Sequence, residues 1–180
     1  IWGAGSGEMI DMRYKKPKTV LCRNIRTGDA QAIPVEKIAF RPSVYGVCVK
    51  DSQVLLVKQW DGYDFPGGGM EAGETIDQAL KREVWEETGL RVSRGALLAC
   101  EEDFFTHHYT GKHYQSILLY YLCKNPKGKI STDNFDEHER RYAEKAEWVD
   151  RKKISGLKFY NPVDSVGIIR EAFQLWKKLR

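Results

Sequence analysis

The segment FPGGGMEAGETIDQALKREVWEETGL, residues 65–90, constrains the fold more than any other part of the chain. It begins with three consecutive glycines at 67–69, where the backbone has the greatest conformational freedom. Its second half carries a cluster of like charges: Glu83, Glu86 and Glu87. Both features lower local stability, and such departures from local stability are expected at functional sites.

Local signals within this segment predict a helix over residues 76–88. Thr75 followed by Gln78 is a capping-box pattern, in which the two side chains satisfy backbone N–H groups at a helix start. Gly89 is placed to end the helix in a left-handed turn. Apolar residues recur on one side at helical spacing: Ile76, Leu80 and Val84. We therefore expect the helix to dock on a sheet through these side chains.

The three glutamates fall on one side of this predicted helix, within an arc of roughly 100°. Like charges at i,i+4 weaken an isolated helix by about 0.2–0.5 kcal/mol, so the cluster needs an explanation. One explanation is a solvated acidic face that is partly neutralised by Arg82 and Arg91. The other is a site for a hard cation, because Mg²⁺ and Mn²⁺ prefer carboxylate oxygen and water.

The glycines at 67–69 also allow two explanations. They form either a flexible surface turn or a backbone that approaches a ligand closely, with no Cβ in the way. They lie just before a helix, whose free N–H groups and positive dipole end favour phosphate. A phosphate-binding loop is the more coherent interpretation, because cations on the carboxylates would bridge to the phosphates. We therefore expect Gly67, Gly68 and Gly69 to contact the substrate.

The rest of the chain predicts β-rich structure and one further helix. Thr27, Gly28 and Asp29 separate two short apolar runs between residues 19 and 35, which indicates a hairpin. Further strands are predicted at 44–49, 53–60, 96–106, 113–123 and 146–150. A final helix is predicted over 163–179, with a core-facing stripe of Ile169, Ala172, Phe173, Trp176 and Leu179.

Length and composition indicate one globular domain. The chain has 180 residues, of which 42% are hydrophobic, and this suffices for a single hydrophobic core. No apolar run approaches the ~20 residues that span a bilayer, so we expect a cytoplasmic protein without membrane association. Residues 1–8 are rich in glycine and precede Met9, so we interpret them as an expression tag and assign the domain to residues 9–180. The net charge of +4 is compatible with a nucleotide or RNA partner.

Residues 68–90 resemble the sequence motif of the Nudix hydrolases, which is called the Nudix box, or the box for short. That motif is Gly, five residues of any type, Glu, seven of any type, Arg-Glu-apolar, one of any type, Glu-Glu, one of any type and Gly-apolar. Every position has its counterpart here: Gly68, Glu74, Arg82, Glu83, Val84, Glu86, Glu87, Gly89 and Leu90. With seven specified residues at about 1/20 each, a chance match is on the order of 10⁻⁹ per starting position. The strand order resembles the family's domain from about residue 40 to residue 150.

The resemblance implies an α/β fold, the Nudix-type α/β/α sandwich with a central mixed β-sheet. It also implies a Mg²⁺-dependent hydrolase, in which Mn²⁺ can substitute, acting on a nucleoside diphosphate linked to another group. Its metal ligands would be Glu83, Glu86 and Glu87 with the backbone carbonyl of Gly68. Arg82 would hold a box glutamate in place, and Glu74 would support the loop.

The resemblance assigns the chemistry to a metal-activated water that attacks one phosphorus. We expect Glu86 to be the general base, with Arg82 as the second catalytic residue. Members of the family differ in this respect, so an acidic segment beyond the box supplies alternative bases: Glu137, Glu139 and Glu144. Tyr63 and Phe65 adjoin the glycines, and we expect one of them to stack on the base of the substrate.

The expected substrate is a nucleoside triphosphate, damaged ones included, cleaved at a phosphoanhydride bond. The 5′ end of RNA and ADP-sugars are alternatives. A non-catalytic, nucleotide-binding regulatory domain is an alternative from another class, but such domains typically lose box glutamates and all of them are present here. The sequence leaves open whether the chain acts as a monomer or as a homodimer.

Overall fold

A computed structural model describes residues 17–135, 140 and 143–179. The interpretation of residues 1–8 as a tag, and the candidate bases Glu137 and Glu139, therefore lie outside the described residues. The strands are β1 Thr19–Asn24, β2 Ala30–Pro34, β3 Ile38–Phe40, β4 Ser43–Lys50, β5 Gln53–Gln59, β6 Gly62–Asp64, β7 Gly67–Gly69, β8 Arg91–Thr106, β9 His113–Lys127 and β10 Glu147–Asp150. The α-helices are α1 Ile76–Thr88 and α2 Ser165–Lys178, and short 3₁₀ helices span Val35–Lys37 and Ile154–Gly156.

The strands form one mixed sheet in the order β10-β5-β4-β9-β8-β1-β2. The central strands β4 and β9 run parallel, whereas β8 and β9 run antiparallel. Three short strands lie outside this order and pair with strands of the main sheet: β3 with β9, β6 with β5 and β7 with β4. The hairpin of β1 and β2 extends the sheet through a short parallel pairing of β1 with β8.

Each face of the sheet is covered by one helix. Val47 and Val49 of β4 pack in the same core cluster as Phe173 of α2. Cys48, between them in sequence, packs in the other cluster with Val84 of α1, because successive strand residues point to opposite faces. The predicted α/β/α sandwich with a central mixed sheet is therefore confirmed.

Most predicted elements are present, with two kinds of difference. Helix α1 has the predicted bounds, and the hairpin around Gly28 forms as predicted. Strands β8 and β9 are longer than predicted, because their ladder continues through polar residues to the pair of Arg91 with Lys127. The prediction that Leu179 faces the core is wrong: it follows the last helical residue of α2 and is 62% exposed.

Neither α-helix of the described residues is long and apolar enough to cross a membrane. Helix α2 has 14 residues and helix α1 has 13, against the ~20 that a bilayer requires.

Gly46 sets how closely helix α1 approaches the sheet, which gives a first prediction. A Cβ at this position would lie 2.7 Å from Val84 Cγ2 and 2.8 Å from Cys123 Sγ. We expect Gly46→Ala to lower the free energy of unfolding by about 1–3 kcal/mol, because the helix must shift away from β4. Urea denaturation measures the change. The control is Gly156→Ala, where no atom lies within 4 Å and stability should be unchanged or slightly higher; equal stability of the two variants would contradict the prediction.

Candidate active site

The caps of helix α1 fix the position of its acidic side chains. Gln78 N donates to Thr75 Oγ1 at 3.3 Å, and Thr75 N donates to Gln78 Oε1 at 2.9 Å, so the predicted capping box is confirmed. Gly89 has a φ of 73°, and its N–H donates to Trp85 O at 2.8 Å. Both ends of the helix are therefore determined by local interactions, and the side chains between them have a fixed phase relative to the sheet.

The guanidinium of Arg82 connects three parts of the site. Its Nε and Nη2 donate to the two carboxylate oxygens of Glu74 at 2.7 and 2.8 Å. Its Nη1 donates to Glu83 Oε1 at 2.9 Å and to Glu86 Oε2 at 3.0 Å, and Nη2 also donates to Gly69 O at 3.1 Å. All five N–H donors of the side chain are thereby used. Arg82 also holds the pKa of Glu74 down at about 2.

Glu83 is the most enclosed of the box glutamates. The residue is 8% exposed, and burial raises the pKa of its carboxyl to about 7, although the Arg82 charge opposes this shift. A Cβ at Gly68 would lie only 2.8 Å from Glu83 Oε2. Glycine at position 68 is therefore required for the carboxylate of Glu83 to lie directly against the neighbouring strand.

Glu87 contacts the glycines in a different way, since its Oε2 accepts a hydrogen bond from Gly67 N at 2.7 Å. Gly67 has a φ of 153°, and a Cβ there would overlap Val44 O. The prediction that these glycines form a loop at the start of the helix is wrong, whereas their contact with the substrate stays a prediction. Residues 67–69 form strand β7, paired with β4, and they face the carboxylates of α1 rather than its N-terminus.

Arg41 is a site residue that sequence analysis missed. A Cβ at Gly69 would collide with its guanidinium, so Arg41 lies directly beside the glycine strand. Its charge helps to lower the pKa of Glu83, and its Cζ lies 5.6 Å from the ring centroid of Tyr114. The position just before strand β4 carries no local signal in the sequence, because the contact depends on the pairing of β4 with β7.

A cavity of about 130 Å³ opens beside the glycine strand. Small-molecule sites commonly measure about 300–1,000 Å³, so this cavity encloses one part of a nucleotide at most. Its lining residues include Arg23, Ile25, Arg41, Tyr45, Trp60, Asp64, Phe65, Gly67, Gly68, Glu87, Asp103, Phe105, His107, His108 and Asn161. The glycines and Glu87 therefore connect the cavity with the box carboxylates.

Buried Asp64 and half-buried Asn161 form a polar pair in this cavity. Asn161 Nδ2 donates to Asp64 Oδ1 at 3.2 Å, and Phe65 N donates to the same oxygen at 3.0 Å. Burial raises the pKa of Asp64 to about 7. The pKa values of Tyr45 and Tyr120 are also raised, first by burial and then by the Asp64 charge. Sequence analysis missed this pair, since its members are 97 residues apart and meet only in the fold.

The two residues predicted to stack on a base have different positions. Phe65 lines the cavity but is 1% exposed, and its ring packs on Tyr120 and Phe159 in the core. Tyr63 is directed elsewhere, because its hydroxyl donates to Glu147 Oε1 at 2.7 Å. The partly exposed residues Trp60 and His108 also line the cavity, and their ring centroids lie 4.8 Å apart.

Three candidates for a general base lie outside the box, and Glu144 is the one that falls within the described residues. Its side chain is exposed. Its carboxylate accepts hydrogen bonds from Lys58 Nζ at 3.0 and 3.2 Å. Its neighbour Ala143 lines the cavity, so the segment passes close to the site. The side chain of Glu86 is 31% exposed and lies on α1 itself.

The donor set of the box suits a hard cation, although its side chains are not arranged as a closed metal site. No three His, Cys, Asp or Glu side chains of the described residues lie together in a metal-binding geometry. Glu83 and Glu86 share Arg82 Nη1, while Glu87 is bound to Gly67 N. These donors are carboxylates beside a glycine backbone, which are the oxygen ligands that Mg²⁺ and Mn²⁺ prefer.

The fold and the box define a member of one protein family. The family model of the NUDIX domain matches residues 39–170, and the chain therefore belongs to the Nudix family. This range extends beyond the expected end near residue 150 and includes Asn161 and the start of α2. The hairpin of β1 and β2 precedes the matched range.

Comparison with individual proteins supports this assignment. The chain is 31% identical over 153 residues to an RNA pyrophosphohydrolase of Psychrobacter arcticus, covering 78% of this chain and 86% of that protein. It is 37% identical over 71 residues to an RNA pyrophosphohydrolase of Aeromonas hydrophila, but this match spans only 41% of that protein and 38% of this chain. The crystal structure of a MutT protein from Bacillus halodurans has a TM-score of 0.53 and 27% identity, covering 66% of this chain and 74% of that chain.

The raised pKa of Asp64 predicts a pH dependence of stability. Its pKa is about 7 in the folded chain, against an ordinary value of 3.8. The protonated form is therefore favoured in the folded state, and its contribution is full below pH 3.8 and lost as pH rises through about 7. Asp64→Asn keeps an oxygen acceptor but cannot ionise. From pH 5 to pH 8 the unfolding free energy of the unmodified chain should fall by roughly 1–4 kcal/mol more than that of the variant.

Urea titrations at both pH values, without added metal, measure this difference. Glu83 also has a raised pKa of about 7, so part of the decline should persist in the Asp64→Asn variant. An identical decline in both proteins would contradict the assignment of a raised pKa to Asp64.

Proposed function

We propose that this protein is a metal-dependent hydrolase that cleaves a phosphoanhydride bond of a nucleotide. The observation that carries the proposal is the Arg82 network, which holds Glu83 and Glu86 beside the glycine strand. Glu87 binds the first glycine of that strand, and the same glycine lines the cavity. A cavity with polar residues thus lies next to a group of carboxylates. The cavity would hold part of the nucleoside, and the carboxylates would bind the cations that neutralise the phosphates.

Mg²⁺ or Mn²⁺ would be held by Glu83, Glu86 and Glu87 with the carbonyl of Gly68. Such a cation neutralises the diphosphate and lowers the pKa of a bound water. The residues fit this role because burial disfavours the ionised carboxylate of Glu83 and raises its pKa to about 7, even though the charges of Arg82 and Arg41 act in the opposite direction. A divalent cation would supply the missing positive charge.

The chain's own residues supply positioning and proton transfer. Arg82 orients Glu83 and Glu86, and its bidentate contact with Glu74 fixes the guanidinium. Glu86, which is partly exposed at the site, accepts the proton of the attacking water as general base. Arg41 adds positive charge beside the glycine strand, where the phosphates of a substrate would lie.

A nucleoside triphosphate is the first candidate substrate. The cavity joins the glycine strand and holds hydrogen-bonding groups at Asp64 and Asn161, which suits a base or a ribose. The 5′-triphosphate end of RNA is the second candidate. It is favoured by the relatives named RNA pyrophosphohydrolase, one of which aligns with 78% of this chain. Both substrates present the same chemistry, which is a 5′ nucleoside joined to a phosphoanhydride.

Replacement of the proposed base tests the mechanism. We expect Glu86→Gln to lower kcat by roughly 10²-fold or more with Mg²⁺ present, because the variant can neither accept the proton nor neutralise the cation. The matched control is Asp77→Asn on the same helix, which weakens exposed ion pairs with Lys81 and Arg94 and should keep full activity. Near-normal kcat of a folded Glu86→Gln protein would move the base to the acidic segment beyond the box.

A substrate panel tests the proposed reaction. It comprises nucleoside mono- and triphosphates, ADP-ribose and 5′-triphosphate RNA, with and without Mg²⁺ and with products separated. We expect anhydrides to be cleaved only with the metal and monoesters to be poor substrates, because a monoester lacks the chelating oxygens of a diphosphate. A higher kcat/KM for 5′-triphosphate RNA than for free nucleoside triphosphates would identify the RNA end as the preferred substrate. Nucleotide binding without any hydrolysis would support a regulatory domain instead.

A further inference from the structure

The hairpin of β1 and β2 contributes to the cavity although it precedes the residues that the family model matches. Asp103 and Phe105 alternate along β8, so they face the same side of the sheet, and both line the cavity. β1 lies beside this part of β8 and adds Arg23 to the same lining, and Ile25 of the turn after β1 also lines the cavity. One wall of the cavity is therefore made by a segment outside the matched range.

We propose that this hairpin is a specificity element, in which Arg23 donates a hydrogen bond to the base of the substrate and selects keto bases, which have a carbonyl oxygen at purine C6 or pyrimidine C4. The inference rests on the proposed function, because it concerns the nucleotide that occupies the cavity. Guanine and uracil present a carbonyl oxygen where adenine and cytosine present an amino group. A guanidinium can only donate, so it binds the keto oxygen and meets an unfavourable donor in the amino bases.

The geometry of Arg23 supports this role. Its Nε donates to Asp103 Oδ1 at 3.0 Å, and its Nη2 donates to Asp103 Oδ2 at 2.7 Å. These two bonds fix the plane of the guanidinium. Its Nη1 makes no hydrogen bond to the described part of the chain, which leaves this donor for a ligand in the cavity. The side chain is 17% exposed, so a bond formed there is sheltered from water.

The turn of the hairpin holds this wall in place. Asn24 Oδ1 accepts hydrogen bonds from Arg26 N at 2.9 Å and Thr27 N at 3.2 Å. Asn24 N also donates to Asp29 O at 2.7 Å, which closes the turn. Ile25 follows Asn24 in this turn and lines the cavity together with Arg23. The wall is therefore ordered before a substrate arrives, and little conformational entropy is lost on binding.

Binding and kinetics with four bases test the proposal. The Kd values of GTP and ATP analogues with imido groups at both the α,β and the β,γ bridge, which leave no anhydride to cleave, are measured by calorimetry, and KM and kcat are measured for GTP, UTP, ATP and CTP with Mg²⁺. We expect the unmodified chain to bind the keto nucleotides at least about fivefold more tightly than the amino nucleotides. In Arg23→Gln this ratio should fall to within about twofold, through KM rather than kcat.

Two further variants separate recognition from stability. Arg26→Gln changes an exposed arginine of the same turn that does not line the cavity, so it should retain the base preference. Ile25→Ala should weaken the binding of all four nucleotides about equally and keep the keto preference. If Arg23→Gln does not fold, this variant still tests whether the hairpin contacts the bound nucleotide. Inorganic triphosphate, which has no base, should be hydrolysed equally by the unmodified chain and by Arg26→Gln.

The outcomes distinguish this inference from the proposed function. Hydrolysis of anhydrides with a base preference that Arg23→Gln leaves unchanged would overturn the specificity role and keep the function. The absence of a keto preference in the unmodified chain would also overturn it. A uniform loss of affinity with a lowered Tm in Arg23→Gln would show that the ion pair is only structural. If no anhydride is hydrolysed, the proposed function fails, and the imido analogues still decide whether Arg23 selects the base.

Discussion

The guanidinium of Arg82 is the contact on which the site depends. Glu83 and Glu86 lie on one side of a helix, where their charges repel, and Arg82 Nη1 bonds to both of them. The same group reaches Glu74 in the loop and the carbonyl of Gly69 in the strand. A loop, a strand and a helix are therefore held in one arrangement by five hydrogen bonds to a single side chain. Lysine could not replace it, because a compact ammonium group cannot reach all these acceptors.

The glycines of the box serve close packing more than flexibility. Strand β7 lies so near helix α1 that a Cβ at Gly68 would press on the carboxylate of Glu83. A similar restriction holds on the neighbouring strand, where a Cβ at Gly46 would meet Val84 and Cys123. The close approach buries Glu83 and raises its pKa, so a partly desolvated carboxylate lies beside the position proposed for the substrate. The proposed cation would stabilise the ionised form of such a group, which would account for small residues and acidic residues occurring together here.

The cavity, in contrast, is assembled from parts of the chain that are far apart in sequence. Arg23 comes from the first strand, Asp64 from a short strand before the glycines, and Asn161 from the loop that leads into α2. Arg41 reaches the same place from the turn before β4. Loops and strand ends of this kind generally vary more readily than a motif within one helix, so the proposed chemistry and the proposed choice of substrate would be carried by different parts of the fold.

The sequence by itself determined helix α1, its caps and the identity of the box, because these depend on residues within a few positions of one another. It also indicated the strands of the central sheet, whose apolar alternation is a local pattern. Only the tertiary structure decided that residues 67–69 form a strand, since glycine has no strand preference and β7 exists through its pairing with β4. Likewise, the orientation of Tyr63 away from the cavity and the burial of Phe65 follow from long-range contacts with Glu147 and Tyr120. Local sequence specifies elements and motifs, whereas the side chains that meet across a sheet are specified by pairings between distant segments.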